Sequence, residues 1–386
     1  MTRIVSIVFY MAVAAGTCAM ASCMQPYQEG EPVWSCGRRT AKCFRNRMLM
    51  AGIFVLLFGV SALRFDIGND YGQYTQTAHE AYVGGYVVTE SGFNWLVRFL
   101  YWIVGWECYE LVFAVFAFAT LWIFLRAFAG QSVSFSQSFF LFMTMGLYFQ
   151  TFNTVRYYFA LSVALFSMKY VLDGDHLKFV FWILLAALFH KSVLLVLPVY
   201  WIASFEWKRW QVAAGLAVSA ACFLGRGLVL KLALVLYPSY RNTIYLEGGG
   251  TLVSTLRTLA VLALYAWFVC TQQSGLSREA LRAQRWYREL RFYAQLNLLA
   301  VVTGTFFYFL PVVTRISYYF GVSQLLMIPL ILRNIREQSV RRKVTVVVSA
   351  ACILYLLVFL LQADQDGVRL LPYRSWLFET ERYTYI

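Results

Sequence analysis

The chain contains several apolar runs of 18 residues or more, and these restrict its fold more than any other feature. Runs such as 107–125, 292–310 and 344–362 are long enough to cross a hydrocarbon core of ~30 Å. Lipid offers the backbone no hydrogen-bond partners, so such runs must be helical. The composition agrees. Of 386 residues, 60% are hydrophobic and 13% charged, and the mean hydropathy is +0.61. A soluble domain could not bury that much apolar surface with so few charges facing water. The expected fold class is therefore all-α: a polytopic transmembrane helix bundle of about 11–12 spans. Residues 1–386 read as a single integral membrane domain with no soluble domain, internal repeat or low-complexity tract. Candidate spans fall at 4–23, 47–63, 107–125, 135–151, 156–172, 178–190 with 191–203, 211–230, 251–271, 292–310, 316–332 and 344–362. Many Trp and Tyr residues lie near the span ends, as membrane interfaces favour.

The net charge of +14 has a membrane explanation. Lys and Arg mark cytoplasmic loops. Here they cluster between spans, as in Arg278, Arg282, Arg285, Arg288 and Arg291, and in Arg333, Arg336, Arg341, Arg342 and Lys343. No basic domain stands apart from the spans, so nucleic acid is not an expected partner. Placing every basic loop on one side requires the run 178–203 to turn back on itself near His190 and Lys191. The segments 64–92, 150–156, 237–250, 311–315 and 363–386 then share the opposite, outward side. Residues 1–24 resemble a signal or lipoprotein leader. Cleavage would place Arg38, Arg39, Lys42, Arg45 and Arg47 outside, so an uncleaved first span is the expectation. The segment 93–105 is apolar but interrupted by Arg98, and reads as an interfacial or re-entrant helix.

The eight cysteines require no disulfide, and Cys36 and Cys43 lack a second Cys or His pair at zinc-ligand spacing. No metal and no cofactor is expected.

Chemistry-bearing residues gather in four outward places. Arg64-Phe65-Asp66-Ile67-Gly68-Asn69-Asp70-Tyr71-Gly72-Gln73-Tyr74 leaves the second span with an arginine and two carboxylates, and Glu90-Ser91-Gly92-Phe93 follows. Asn153-Thr154-Val155-Arg156 opens an apolar helix. Phe189-His190-Lys191-Ser192 interrupts an apolar run, and Thr314-Arg315-Ile316 begins another after Pro311. Arg241 is a weaker candidate. Each has an ordinary reading: a solvated loop pair for Arg64 and Asp66, snorkelling for Arg156 and Arg315, an interhelical hydrogen bond for His190. Taken together, three arginines at one membrane level near carboxylates and a histidine suit a diphosphate. A lipid-linked diphosphate would reach such a pocket from within the bilayer.

In order and spacing, these elements resemble the EpsG family, within the broader Wzy-like class of polysaccharide polymerases. The resemblance rests on Arg64 to Tyr74, Glu90 to Phe93, Asn153 to Arg156 and Phe189 to Ser192, with Arg315, Tyr319-Phe320 and Pro372-Tyr373 in support. It runs from about residue 47 to 376. The chain departs from the family at Asn69, where Thr is common, and in a longer, more basic segment 25–47. The resemblance implies a fold akin to the C-type glycosyltransferases, in the bacterial inner membrane, with its site facing the periplasm or exterior. It implies a glycosyltransferase that polymerises undecaprenyl-diphosphate-linked repeat units into exopolysaccharide, capsule or O-antigen. Lipid-linked glycan donor and acceptor, the bilayer and a chain-length regulator or flippase are the expected partners.

On that reading Arg64, Arg156, Arg315 and Arg241 bind the diphosphate. His190 or Asp70 takes the acceptor proton, with Glu90 beside them. Asp66, Tyr71, Tyr74, Asn153 and Tyr319 contact sugars or orient the arginines. A flippase or transporter of lipid-linked glycans, a membrane-bound O-acyltransferase, and a polysaccharide ligase are the alternatives. A transporter would be expected to show symmetry between its halves.

Overall fold

A computed structural model describes residues 1–24, 41–85, 87, 89–236, 252–272, 284–310, 313–364 and 368–379. In chain order the described helices are α1 (Arg3–Ser22), α2 (Ala41–Ala62), α3 (Tyr71–Val83), α4 (Ser91–Val104), α5 (Tyr109–Gln131), α6 (Phe135–Thr144), α7 (Leu147–Gln150), α8 (Val155–Leu172) and α9 (His176–Ala187). A 3₁₀ turn, Lys191–Leu195, leads into α10 (Val196–Ser204), α11 (Arg209–Leu224), α12 (Arg226–Leu236), α13 (Leu252–Gln272), α14 (Arg285–Phe306), α15 (Val313–Gly321), α16 (Gln324–Asn334) and α17 (Gln338–Leu361).

The chain is an all-α, multi-pass membrane bundle. Among the described residues six helices are long and apolar enough to cross a membrane: α1, α2, α5, α13, the stretch Arg315–Asn334 and α17. A seventh is reached if α11 and α12, bent by 86° at their junction, form one broken span. Of the other expected spans, 156–172 lies in the continuous helix α8 and most of 292–310 in the continuous helix α14, while 135–151 and 178–203 are interrupted. The run 135–151 stops at Gly146, whose φ is +73° and whose missing Cβ makes room for the Phe359 ring. The run 178–203 divides into two short apolar helices at a break over Leu188–His190, where the charge pattern predicts a turn.

Two compact units emerge. The first comprises Met1–Ser167, Val180–Leu194 and Gln338–Ile386; the second comprises Met168–Phe179 and Leu195–Glu337. Aromatic rings fill the core of the first, where Phe124, Phe128, Phe139 and Phe142 are fully buried and pack in tilted, edge-to-face and stacked pairs. Tyr148 seals this core by donating its hydroxyl proton to the Leu57 carbonyl at 2.8 Å. A buried polar lattice ties the second together. The Gln324 amide donates to Asn297 Oδ1 at 2.8 Å and Thr258 Oγ1 at 3.1 Å, and the Asn297 amide donates to Ser323 Oγ at 2.9 Å. In lipid such interhelical bonds satisfy groups that have no water to turn to.

Candidate active site

The site lies in the first unit, where the chain leaves α2. The segment after α2 is clasped by the C-terminal segment. Arg64 and Ser375 form an antiparallel bridge, Phe65 N–H donates to the Arg374 carbonyl at 3.0 Å, and Gly68 N–H donates to the Arg369 carbonyl at 2.9 Å. Asp66, at φ +53°, accepts from Arg369 Nη2 at 2.7 Å and lies 3.8 Å from Arg374 Nη1. Arg374 in turn makes a two-point pair with Glu379 at 3.0 Å.

Gly68 explains why the motif needs a glycine. Its φ is +101°, and a Cβ there would lie 2.4 Å from the Phe152 carbonyl oxygen. That close approach docks the Asn69-Asp70 turn on the loop before α8. Asn69 N–H donates to Asn153 Oδ1 at 2.8 Å, and Thr154 Oγ1 donates to Asp70 Oδ2 at 2.7 Å. Tyr71 and Tyr74 then point inward from α3. Tyr71 stacks on Phe113 with ring centroids 4.6 Å apart.

Glu90 is the hub. It occupies the N-cap position of α4 with its side chain turned away from the helix end, and its carboxylate faces the break between α9 and the 3₁₀ turn. Oε2 pairs directly with Arg156 Nη1. Oε1 accepts from the Lys191 N–H at 3.0 Å and lies 3.4 Å from His190 Nδ1. Two residues on, Gly92 N–H donates to the Leu188 carbonyl at 2.9 Å, and a Cβ on Gly92 would come within 2.5 Å of that oxygen. The Glu-x-Gly-Phe element thus seats one turn of chain against the break that presents His190. Phe93 completes it: the Arg156 guanidinium lies over the Phe93 ring at 5.2 Å and the Tyr74 ring at 5.4 Å, and Arg156 Nε donates to the Tyr74 hydroxyl at 3.4 Å. The His190 ring stands edge-on to Tyr157 at 5.5 Å.

Burial alone would push the Glu90 carboxyl up. The His190 contact, the Arg156 charge and the Lys191 N–H outweigh it and bring its pKa down to about 2. Glu90 is therefore an anion at any working pH. An anion facing Nδ1 favours the tautomer that carries its proton there, with the lone pair on Nε2.

The candidates from the sequence separate into groups. Glu90, Arg156, His190 and Tyr74 come together directly, with Asp70, Asn153 and Tyr71 on the same loop assembly. Arg64 stands apart from these groups. It is 2% exposed, donates to the Ser61 carbonyl and to Ser61 Oγ (3.3 Å), and lies over the Phe113 and Phe152 rings at 4.9 and 5.2 Å. Sealed into the core in this way, Arg64 staples the end of α2 to the loop at Phe152. Asp66 faces Arg369 and Arg374 rather than Arg64. Arg315 opens α15 in the second unit and is half-buried there, while Tyr319 is fully buried in the same unit and its carbonyl accepts from the Tyr200 hydroxyl. Arg241 lies outside the described residues. Sequence reasoning does not reach Arg369 and Arg374, although Pro372-Tyr373 between them was a visible marker.

A charged, partly buried cluster at the end of apolar helices defines a multi-pass membrane protein with a built polar site. Residues 47–375 match the EpsG family, and the chain belongs to that family. Membership places it among polysaccharide polymerase-like membrane proteins. No curated protein and no solved structure matches the chain.

Proposed function

We propose that the chain is a membrane glycosyltransferase that polymerises undecaprenyl-diphosphate-linked repeat units into exopolysaccharide, capsule or O-antigen at the outer face of the inner membrane. The observation that carries the reading is the Glu90 hub, which joins a cation suited to phosphate oxygens and an imidazole suited to proton transfer. Family membership supports it.

In the proposed reaction an acceptor sugar hydroxyl attacks the anomeric carbon of the donor glycan. The bond from that carbon to the diphosphate oxygen breaks, and undecaprenyl diphosphate leaves. His190 takes the hydroxyl proton at Nε2, with Glu90 orienting the ring through Nδ1, as a buried carboxylate orients the imidazole in other acid–base dyads. Arg156 stabilises charge developing on the departing diphosphate. Asp70, Tyr71, Tyr74, Asn153 and Asp66 are assigned to sugar contact or orientation. Arg64 leaves the diphosphate set because of its burial.

The test is a deletion strain complemented with wild type or His190→Ala, read as polysaccharide ladders and lipid-linked intermediates. Loss of the ladder with accumulation of single outward-facing lipid-linked repeats is the expected result for both the deletion and the variant. A full ladder in the deletion overturns the glycan reading. Single repeats trapped on the cytoplasmic face would identify a flippase instead.

A further inference from the structure

A second polar feature lies apart from this site, on an exposed flank of the first unit. Helices α2 and α5, both long and apolar enough to span, run antiparallel: Phe54 packs on Trp122 and Phe118, and Phe58 one turn further along α2 packs on Phe118. Between them runs a groove of about 180 Å³ lined by Arg47, Met50, Ala51, Phe54, Val55, Trp122, Leu125 and Arg126. Val55 and Trp122 are exposed, so the groove opens outward from the bundle. No acid lines it.

The arginines occupy one end. Arg47 is six residues past the start of α2 and Arg126 five residues before the end of α5. At 1.5 Å per residue they lie roughly 9 and 8 Å inside their helix ends, which is one common depth. That end of α2 carries Lys42 and Arg45 and follows Arg38 and Arg39 in the sequence, the most basic stretch near the N-terminus. Two guanidinium groups near one end of the two spanning helices, beside an aromatic and aliphatic trough, match a molecule with an anionic head and an apolar tail. Basic pockets between membrane helices on the side of the basic loops bind anionic lipid head groups by this chemistry.

We propose that Arg47 and Arg126 bind the head group of an anionic phospholipid whose acyl chain lies along Phe54, Val55 and Trp122. A zwitterionic head group would set its own cation against the two arginines, so selectivity follows from charge. The test is native mass spectrometry of the detergent-purified full chain. It is titrated separately with dioleoylphosphatidylglycerol, dioleoylphosphatidylcholine and inorganic phosphate. Wild type is expected to retain phosphatidylglycerol in preference to phosphatidylcholine. Arg47→Gln and Arg126→Gln should each weaken that retention roughly fivefold, and the double variant about thirtyfold. Arg45→Gln, an exposed neighbour outside the groove with the same change in net charge, should retain it as wild type does. If the double variant is not recovered folded, the single variants decide. Equal retention of both lipids, an equal loss in Arg45→Gln, or displacement of the lipid by inorganic phosphate would overturn the proposal.

Discussion

Replacing Glu90 by Gln isolates the charge at the hub, because the side chain keeps its shape. The amide oxygen can still accept from Lys191 N–H, but the anion that pairs with Arg156 and faces His190 Nδ1 is gone. Moving a carboxyl pKa from 4.5 to about 2 corresponds to a preference of about 3 kcal/mol for the ionised form. The Glu90 side chain is only 12% exposed, so little of this is lost to screening by water. If all of it serves the proposed reaction, polymerisation by Glu90→Gln falls by about a hundredfold. The assay is conversion of purified single lipid-linked repeats into longer chains by the detergent-solubilised protein, at several pH values.

The sign of the pH effect follows from the lowered pKa. A carboxylate with a depressed folded-state pKa contributes its stabilisation above the unfolded value of 4.5, and loses it as pH falls toward about 2. Between pH 5 and 8 Glu90 therefore adds no pH dependence of its own to wild type. The variant differs through His190: without a neighbouring anion the imidazolium is less favoured, so the acidic limb of the rate profile moves to lower pH. A merely structural Glu90 would lower the amount of folded protein without moving that limb. Wild-type turnover in Glu90→Gln, or a drop in turnover with an unshifted limb, would refute the orienting role.

Two further substitutions test the scaffold. Gly68→Ala must place a Cβ 2.4 Å from the Phe152 oxygen at a φ of +101°, so it should destabilise by at least about 1–3 kcal/mol, whereas Gly72→Ala, with nothing within 4 Å of its Cβ, should be neutral in the same thermal unfolding assay. Arg64→Met leaves the Ser61 and Phe152 carbonyls without their donor, at about 1–3 kcal/mol for each group left unsatisfied, and should lower the yield of monodisperse protein. An Arg64→Met protein as stable as wild type yet unable to make polymer would restore Arg64 to the ligand site.

The membrane character and the local motifs were legible because each is written in contiguous sequence. Apolar runs give helices, and the fold-back at 188–190 follows from charge parity plus a polar break. Gly68 and Gly92 stand where the backbone comes within hydrogen-bond distance of another strand of chain, a requirement that residue type alone signals. What sequence does not give is pairing across long separations. Arg64 follows an apolar helix and reads as an outward cation, yet the aromatic rings of α5 and the Phe152 loop enclose it. Asp66 meets Arg369 from 303 positions away, a partner that no local spacing can name. Span counting fails for a related reason: whether a run stays straight depends on what packs against it, as at Gly146 beneath Phe359.

The same physics explains why the cluster is arranged as it is. Ionised groups near apolar helices persist only when paired, since an uncompensated buried charge costs several kcal/mol. Arg156 and Glu90 meet this condition for each other, which lets a guanidinium and a carboxylate remain charged at 17% and 12% exposure. Their pairing also fixes geometry, because Glu90 touches the chain on both sides of the His190 Cα: the side chain through Oε1 and the following amide through the same oxygen. A histidine at a helix break would otherwise have two soft torsions and a mobile backbone. Held by one carboxylate oxygen, with the edge of its ring against Tyr157, it has a defined orientation before any substrate arrives. Preorganisation of this kind is what a general base needs and what a passive interhelical contact does not. It is the physical reason to place the proposed proton transfer at His190 rather than at Asp70, whose carboxylate already accepts the Thr154 hydroxyl.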